Sequence, residues 1–484
     1  MKKYFIIFAT LILAACGILD DKYKRPETPV PPAWKNGDSS SGTLPDAEWW
    51  KGFNSQRLTS LIEESLAANY DIKVAIAQVR EADAQAKIAG APLLPSLGAN
   101  AGVSRQRQPS ALKTVVVSSN NNSARSNIFN TYSTGLNASY EVDFWGKNWA
   151  AAENALATAE QNRFNQETVK LTVTSGVATT YFAILGTEDR LAAAKNNLKA
   201  ANELLQAYRD RFAQGIANDL DVAQQESLVA AQAAAIPPLE LQIKQSSDAL
   251  AILLGKNPEA LDIPQSGLKE LTAPAVSPGM PSELLQRRPD VARAEAALIA
   301  ANANINSARD AFFPAITLTG QRGYESPQLS QLFTPQSILW NIAAGLTQPI
   351  FEGGAIEGGW DLTKARYEEM LQDYHKAVVS AFSDTEDALV AVQQDAEEEK
   401  AETESVRVSQ KAYDLTLLQF KQGIIDITTV LNTQRALFTA QDALVQAKLA
   451  HLQAIVQLYN ALGGGWKGEA QVPSVLKQLP KQAF

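Results

Sequence analysis

Cys16 is the only cysteine in the 484 residues, and its place suggests a chemistry. Lys2 and Lys3 precede an apolar stretch from Tyr4 to Ala15. That stretch is too short to cross a bilayer as a helix and reads as a secretory signal. Leu13-Ala14-Ala15-Cys16 resembles a bacterial lipobox, in which the cysteine becomes the lipidated N-terminus. The competing reading is an ordinary cleaved signal with an incidental cysteine. Lipidation is preferred because an otherwise cysteine-free chain keeps its one thiol there.

Other reactive residue types are sparse. His375 and His451 lie far apart and lack ligand spacing, and the methionines are Met1, Met280 and Met370, so no metal site is expected. Phe351-Glu352-Gly353-Gly354 with Gly358-Gly359 has glycines enough for a phosphate loop, but no Gly-Lys-Ser/Thr follows. Those glycines better suit a bend from strand into helix. No nucleophile, acid/base pair or cofactor loop stands out, so no catalytic residue is assigned and an enzyme is not expected. No cofactor is expected beyond a covalent lipid on Cys16. The net charge is −9 and there is no long basic run, which argues against nucleic acid.

Two polar clusters remain, each following a glycine. Asn218, Asp219 and Asp221 follow Gly215; Asp426, Thr428, Thr429 and Asn432 follow Gly423. Two readings stay open for them. They are helix caps and turn residues, where Asp and Asn are favoured anyway. Alternatively, they place negative charge at a constriction that favours cations. Lys421 and Arg435 are candidate partners for these acids, although exposed pairs contribute little.

The elements that position these clusters come in two copies. Asn69-Tyr70-Asp71-Ile72 matches Arg288-Pro289-Asp290-Val291, and Leu94-Pro95 matches Phe313-Pro314, both at an offset of 219. Phe144-Trp145-Gly146 matches Phe351-Glu352-Gly353 at 207. Phe212-Ala213-Gln214-Gly215 matches Phe420-Lys421-Gln422-Gly423, and Leu254-Gly255 matches Leu462-Gly463, at 208. The shared order implies an internal duplication, with extra residues in the first copy around the Ser/Asn tract 118–126. The expected divisions are a signal at 1–15, a lipidated extended arm at 16–50, repeats at 51–265 and 266–465, and a tail at 466–484.

Each copy has the same order. An Ala-rich helical stretch (about 56–90 and 282–311) precedes two segments of strict apolar/polar alternation. Leu97 to Val103 and Tyr132 to Phe144 alternate in the first copy, Ile316 to Gln321 and Trp340 to Thr347 in the second. Their length and aromatic ends suit membrane β-strands, with a soluble sandwich hairpin as the competing reading. Tyr132, Tyr140, Phe144, Trp145, Tyr324, Trp340 and Trp360 are candidates for aromatic girdles, with core packing as the competitor. From Asn148 to Phe212 no proline occurs, which permits roughly 95–100 Å of helix. Leu191, Leu198, Leu205 and Phe212, with Ala194, Ala201 and Tyr208 between them, form a coiled-coil seam; Val406, Tyr413 and Phe420 are its counterpart. Gly215 and Gly423 end the long helices, and the first returning helix is expected to break at Pro237-Pro238.

No apolar run after Cys16 is long enough for a membrane helix, so a membrane span would have to be a closed barrel. Four strands cannot close one, but three chains would supply about twelve. The expected fold is mainly α with a membrane β-barrel portion. A trimeric 12-stranded barrel continues into a long α-helical coiled-coil tunnel, with an internal two-fold repeat.

The lipobox, duplication, strand pairs, glycine-ended helical tips and the ending Leu462-Gly463-Gly464-Gly465-Trp466 together resemble the TolC-like outer-membrane factors. Within that family they resemble the NodT/OprM-like lipoprotein branch that works with RND-type pumps. The resemblance covers essentially the whole mature chain. It implies a homotrimer in the outer membrane, lipid-anchored with a large periplasmic portion. It further implies a periplasmic adaptor and an inner-membrane RND-type transporter as partners. Gly17 after the lipobox cysteine, where Asp would favour inner-membrane retention, agrees with that location. The function implied is a passive exit duct for drugs or other small molecules, gated at the periplasmic tips. The family closes this mouth with polar or acidic rings, but its second-repeat acids fall here on Thr429 and Asn432. An exit channel for secreted peptides or proteins and a pore-less lipid-tethered spacer are the alternatives.

Overall fold

The structure is a computed structural model and describes residues 23–36, 45–107, 128–260 and 267–467. Helices α1 (Gln56–Ala68) and α2 (Tyr70–Gly90) lead into strands β1 (Ser96–Arg107) and β2 (Ile128–Val142). Helix α3 (Lys147–Ala213) then runs out and α4 (Asp219–Leu253) returns. The second half repeats the order with α5 (Pro281–Arg287), α6 (Pro289–Asp310), β3 (Ala315–Ser326), β4 (Ile338–Thr347), α7 (Ala355–Lys421) and α8 (Ile427–Ala461). Helices α3 and α7 hold 67 residues each, and α4 and α8 hold 35 each, so the duplication extends to element length. At 1.5 Å per residue the long helices measure about 100 Å and the returning ones about 52 Å.

The long helices stop where the backbone turns left-handed. Gly215 (φ 74°) and Gly423 (φ 73°) adopt a conformation costly for a residue with a Cβ. At both, the glycine N–H and the next N–H turn back onto helix carbonyls: Gly215 to Phe212 and Ile216 to Arg211, Gly423 to Phe420 and Ile424 to Gln419. At the start of α7, Gly353 (φ 62°) and Gly354 (φ 85°) make the bend out of the sheet. Gly358 and Gly359, expected to share in that bend, are already inside the helix.

Three further expectations need correction. The first Ala-rich stretch is two helices, divided at Asn69 (ψ 136°), whose side chain accepts from the N–H of Ile72. Its counterpart divides at Arg288, where Pro289 begins the next helix. Secondly, α4 passes unbroken through Pro237 and Pro238. Just beyond them Leu239 is buried against Leu191 and Ala194, with Ile236 and Ile243 alongside, so packing on α3 overrides the prolines' missing donors. Thirdly, the arm at 23–36 has no helix or strand but is not free of packing: Trp34 is buried and its Nε1 donates to the Gly279 carbonyl at 2.8 Å.

The seam of α3 is buried at Leu191, Ala194, Ala201, Leu205 and Tyr208, half-buried at Leu198 and exposed at Phe212. The main core lies midway along the long helices, where α1, α2 and the returning helix end pack. Phe53, Leu61, Phe182, Leu185 and Val456 belong to it, and Trp49 stacks on Tyr459 at 5.0 Å. A second cluster, with Trp34, Leu298, Tyr374 and Leu458, serves the other repeat.

Candidate functional site

The four strands form one antiparallel sheet in the order β1-β2-β3-β4, so β1 and β4 each leave one edge unpaired. The register aligns like faces. Leu97 faces Ala138, Val103 faces Tyr132, Tyr140 faces Leu318, and Ile316 faces Leu346. On the opposite face Asn100 pairs with Gly135, Ser133 with Glu325, and Gln321 with Asn341. One face is therefore apolar and the other polar, as the alternation predicts. The apolar face is uncovered: Leu97, Val103, Trp340, Ile342 and Leu346 are all more than two-thirds exposed. An exposed apolar face this wide is unsuited to water. Inside a bilayer, two open edges would also leave backbone donors and acceptors unpaired at a cost of several kcal/mol each.

Sheet and helices meet at a packed joint. Asp143 accepts from the N–H groups of Asn148 (3.0 Å) and Trp149 (2.7 Å), capping α3. Trp145 stacks on Phe313 at 4.7 Å, meets Phe144 edge-on at 4.8 Å, and donates from Nε1 to the Pro314 carbonyl. Phe144 lies two residues beyond β2. These two rings are half-buried and packed together, Tyr132 and Tyr140 are half-buried on the sheet, and Trp340 is 71% exposed. Tyr324 packs against Phe333, and Trp360 against Phe312.

Helices α3 and α4 pair along their length, as do α7 and α8, and α3 also touches α8. Arg190 of α3 binds Asp442 of α8 with two hydrogen bonds, 2.6 and 3.2 Å, joining the repeats. His451 of α8 lies 2.7 Å from Glu399 of α7. Midway, each returning helix ends on a helix break. Asn69 Nδ2 donates to the Leu253 carbonyl, and Arg288 Nη1 reaches the Ala461 carbonyl at 3.4 Å. Arg288 also grips Asp290 and Asp384. Burial works to raise the Asp290 pKa, but the hydrogen bond and charge of Arg288 outweigh it and hold the carboxyl below its ordinary value. Gly255 and Gly463 complete the joints, because a Cβ there would collide with the carbonyls of Ala68 and Arg287.

At the tips Asn218, Asp221 and Asp426 cap the returning helices. Asn218 Oδ1 accepts from the Asp221 N–H (2.9 Å), while Asp221 Oδ2 accepts from the Asn218 N–H (3.1 Å). Asp426 Oδ1 accepts from the N–H and hydroxyl of Thr429, and those two bonds hold its pKa below the ordinary carboxylate value. Asp219, Asp426, Thr429, Asn432 and Arg435 are exposed, and Asp221 is half-buried. No ion pair joins Lys421 or Arg435 to these acids among the described residues; Arg435 instead lines a groove with Arg190, Pro238 and Asp442. Ile216, Leu220 and Ile424 leave an apolar surface at the tips, each more than 60% exposed. Cys16 lies outside the described residues. No helix among the described residues is long and apolar enough to cross a membrane, and no group of metal-binding side chains occurs there. The sequence reading missed Arg288 and Arg190. Asp290 is two residues from Arg288, but Asp384, Ala461 and, for Arg190, Asp442 lie far off in sequence, so only the repeat match at Asn69 pointed to the first.

The profile of the family described as outer membrane efflux protein matches residues 61–256 and 280–464. The chain is 39% identical over 476 residues to the pyoverdine export outer membrane protein OpmQ of Pseudomonas aeruginosa, covering 97% of this chain and 98% of that one. A membrane protein crystal structure from Pseudomonas aeruginosa superposes with a TM-score of 0.85 at 31% identity, covering 94% and 99% of the two chains. The open-state MtrE outer membrane channel of Neisseria gonorrhoeae gives 0.82 at 31% identity, with the same coverage.

Proposed function

The chain belongs to the outer membrane efflux protein family, and from that premise we propose that three copies complete one another's sheets into a 12-stranded barrel. The protein is an outer-membrane efflux component, the exit channel of a tripartite pump, and not an enzyme. It works in the outer membrane with a periplasmic portion, alongside an adaptor and an inner-membrane transporter.

The observation that carries the trimer is the four-stranded sheet with two open edges and one bare apolar face. Pairing β4 of one copy with β1 of the next removes every edge, which lipid requires. Twelve strands lie within the range of closed outer-membrane barrels. The polar face then lines a wet lumen, and the shaft of α3, α4, α7 and α8 prolongs it into the periplasm.

Cys16 carries a lipid that tethers the arm. The transporter is of RND type and supplies the energy, since this chain has no nucleotide loop. The adaptor meets the tips, where Ile216, Leu220 and Ile424 offer apolar contact. Six tips converge at the periplasmic mouth, and Asp219, Asp221 and Asp426, with Thr429, Asn432 and Arg435 close by, set its charge. Cargo is a small organic molecule, the class to which pyoverdine, named for the OpmQ relative, belongs. Native mass spectrometry of the full-length protein in detergent tests the assembly. Three chains per particle is the expected mass; a stable monomer or dimer carrying full conductance contradicts it.

A further inference from the structure

The five charged residues on the strands are divided by sign. Arg105 and Arg107 of β1 and Arg322 of β3 share the alternation of Leu97, Val103 and Leu318, which places them on the apolar face. Glu141 and Glu325 share the alternation of Ser133 and Thr319 and lie on the polar face. Position by position, Arg322 stands between Leu136 of β2 and Trp340 of β4. All three arginines are exposed, and none has an ion-pair partner among the described residues. A cation on the lipid face of a barrel is costly at the midplane and tolerated only near the headgroups.

The arginines sit at the headgroup level. The helices leave the sheet at the Phe313 and Trp145 end, so the opposite strand ends, Arg107, Ile128, Ser326 and Ile338, lie toward the cell surface. From Phe313 to Arg322 is nine residues, about 30 Å along the strand. With a strand tilt of about 40°, that is a height of about 23 Å, close to the apolar band of an outer-membrane barrel. Arg322 thus marks the upper boundary, level in register with the exposed Trp340, an aromatic suited to an interface. Arg105 and Arg107 end β1 on the same side. Guanidinium groups engage phosphate oxygens through paired hydrogen bonds.

We propose that Arg105 with Arg107 on β1, and Arg322 beside Trp340 two strands and about 20 Å away in register, are two contact points on the outer barrel face for the phosphates of anionic lipid headgroups in the cell-surface leaflet. The proposal rests on the barrel reading, but its test is separate from conductance, so the two can fail independently. The full-length protein in neutral detergent is titrated with diphosphoryl lipid A and with the same lipid after its phosphates are removed, and bound lipid is counted by native mass spectrometry. The diphosphoryl form binds at least tenfold more tightly to the wild type. The R105Q/R107Q/R322Q variant loses that preference, and the corresponding triple lysine variant keeps part of it. Equal binding of both lipids to the wild type overturns the proposal without recourse to any variant. Full displacement by inorganic phosphate at equal concentration also overturns it, since the arginines would then hold a free anion rather than a lipid.

Discussion

Among single residues, Arg288 and Asp426 show how differently placed charges act. Arg288 is nearly buried and holds Asp290, Asp384, the Ala381 carbonyl within α7 and the Ala461 carbonyl at the end of α8. Arg288→Met leaves those groups without their cation, and a loss of about 3 kcal/mol in unfolding free energy is expected, measured by denaturant titration. The Asp290 pKa is lowered in the fold, so the pair's contribution is present above the unfolded carboxylate value of about 3.9. It is lost as pH falls through the lower folded value. Asp290→Asn should therefore flatten the fall in Tm over that acid range. Asp426 is exposed, and its two hydrogen bonds make it a cap for α8 without removing its charge from solvent. Capping was legible because Asp followed by a helical run is a local signal. The Arg288 network was not, since apart from the neighbouring Asp290 its partners come from α7 and α8 and are brought together only by the fold.

Helix joints and their glycines govern the next scale. Gly463 (φ 83°) sits where α8 ends on the α5–α6 break, and Gly255 (φ 66°) does the same for α4. Gly463→Ala should cost more than about 1–2 kcal/mol, through both the left-handed backbone and the collision with the Arg287 carbonyl. Thermal unfolding would register it, and an unchanged Tm would remove the joint's importance. Pro237 and Pro238 give the opposite expectation. The equivalent positions of α8 carry Val445 and Gln446 in an equally long helix, so proline is not needed for the helical path. Pro238→Ala should raise stability by about 1–3 kcal/mol by restoring a helix donor. The long helices and strands were legible because their periods persist over many residues. The helix passing through two prolines was not, because packing against Leu191 and Ala194 decides it. Phe212 fell off the seam for a similar reason: at the tip Phe420 of α7 packs against Tyr208 and under Arg211, and Phe212 is left exposed.

The whole molecule is a long conduit whose upper part is incomplete in a single chain. The duplication, four strands and two long hairpins were all legible, because each is a periodic pattern repeated at a nearly constant offset. How the sheet is closed is not encoded in any one segment; it follows from what lipid forbids at an open edge. The most direct test is single-channel conductance of the full-length protein in a planar bilayer, compared with Asp219→Ala/Asp221→Ala/Asp426→Ala. Discrete steps are predicted for both proteins, with a cation preference that weakens in the variant because negative charge is removed from the mouth. Steps indifferent to the substitutions would leave the acids as caps alone. No steps from verified trimer, with or without adaptor, would contradict the conduit itself.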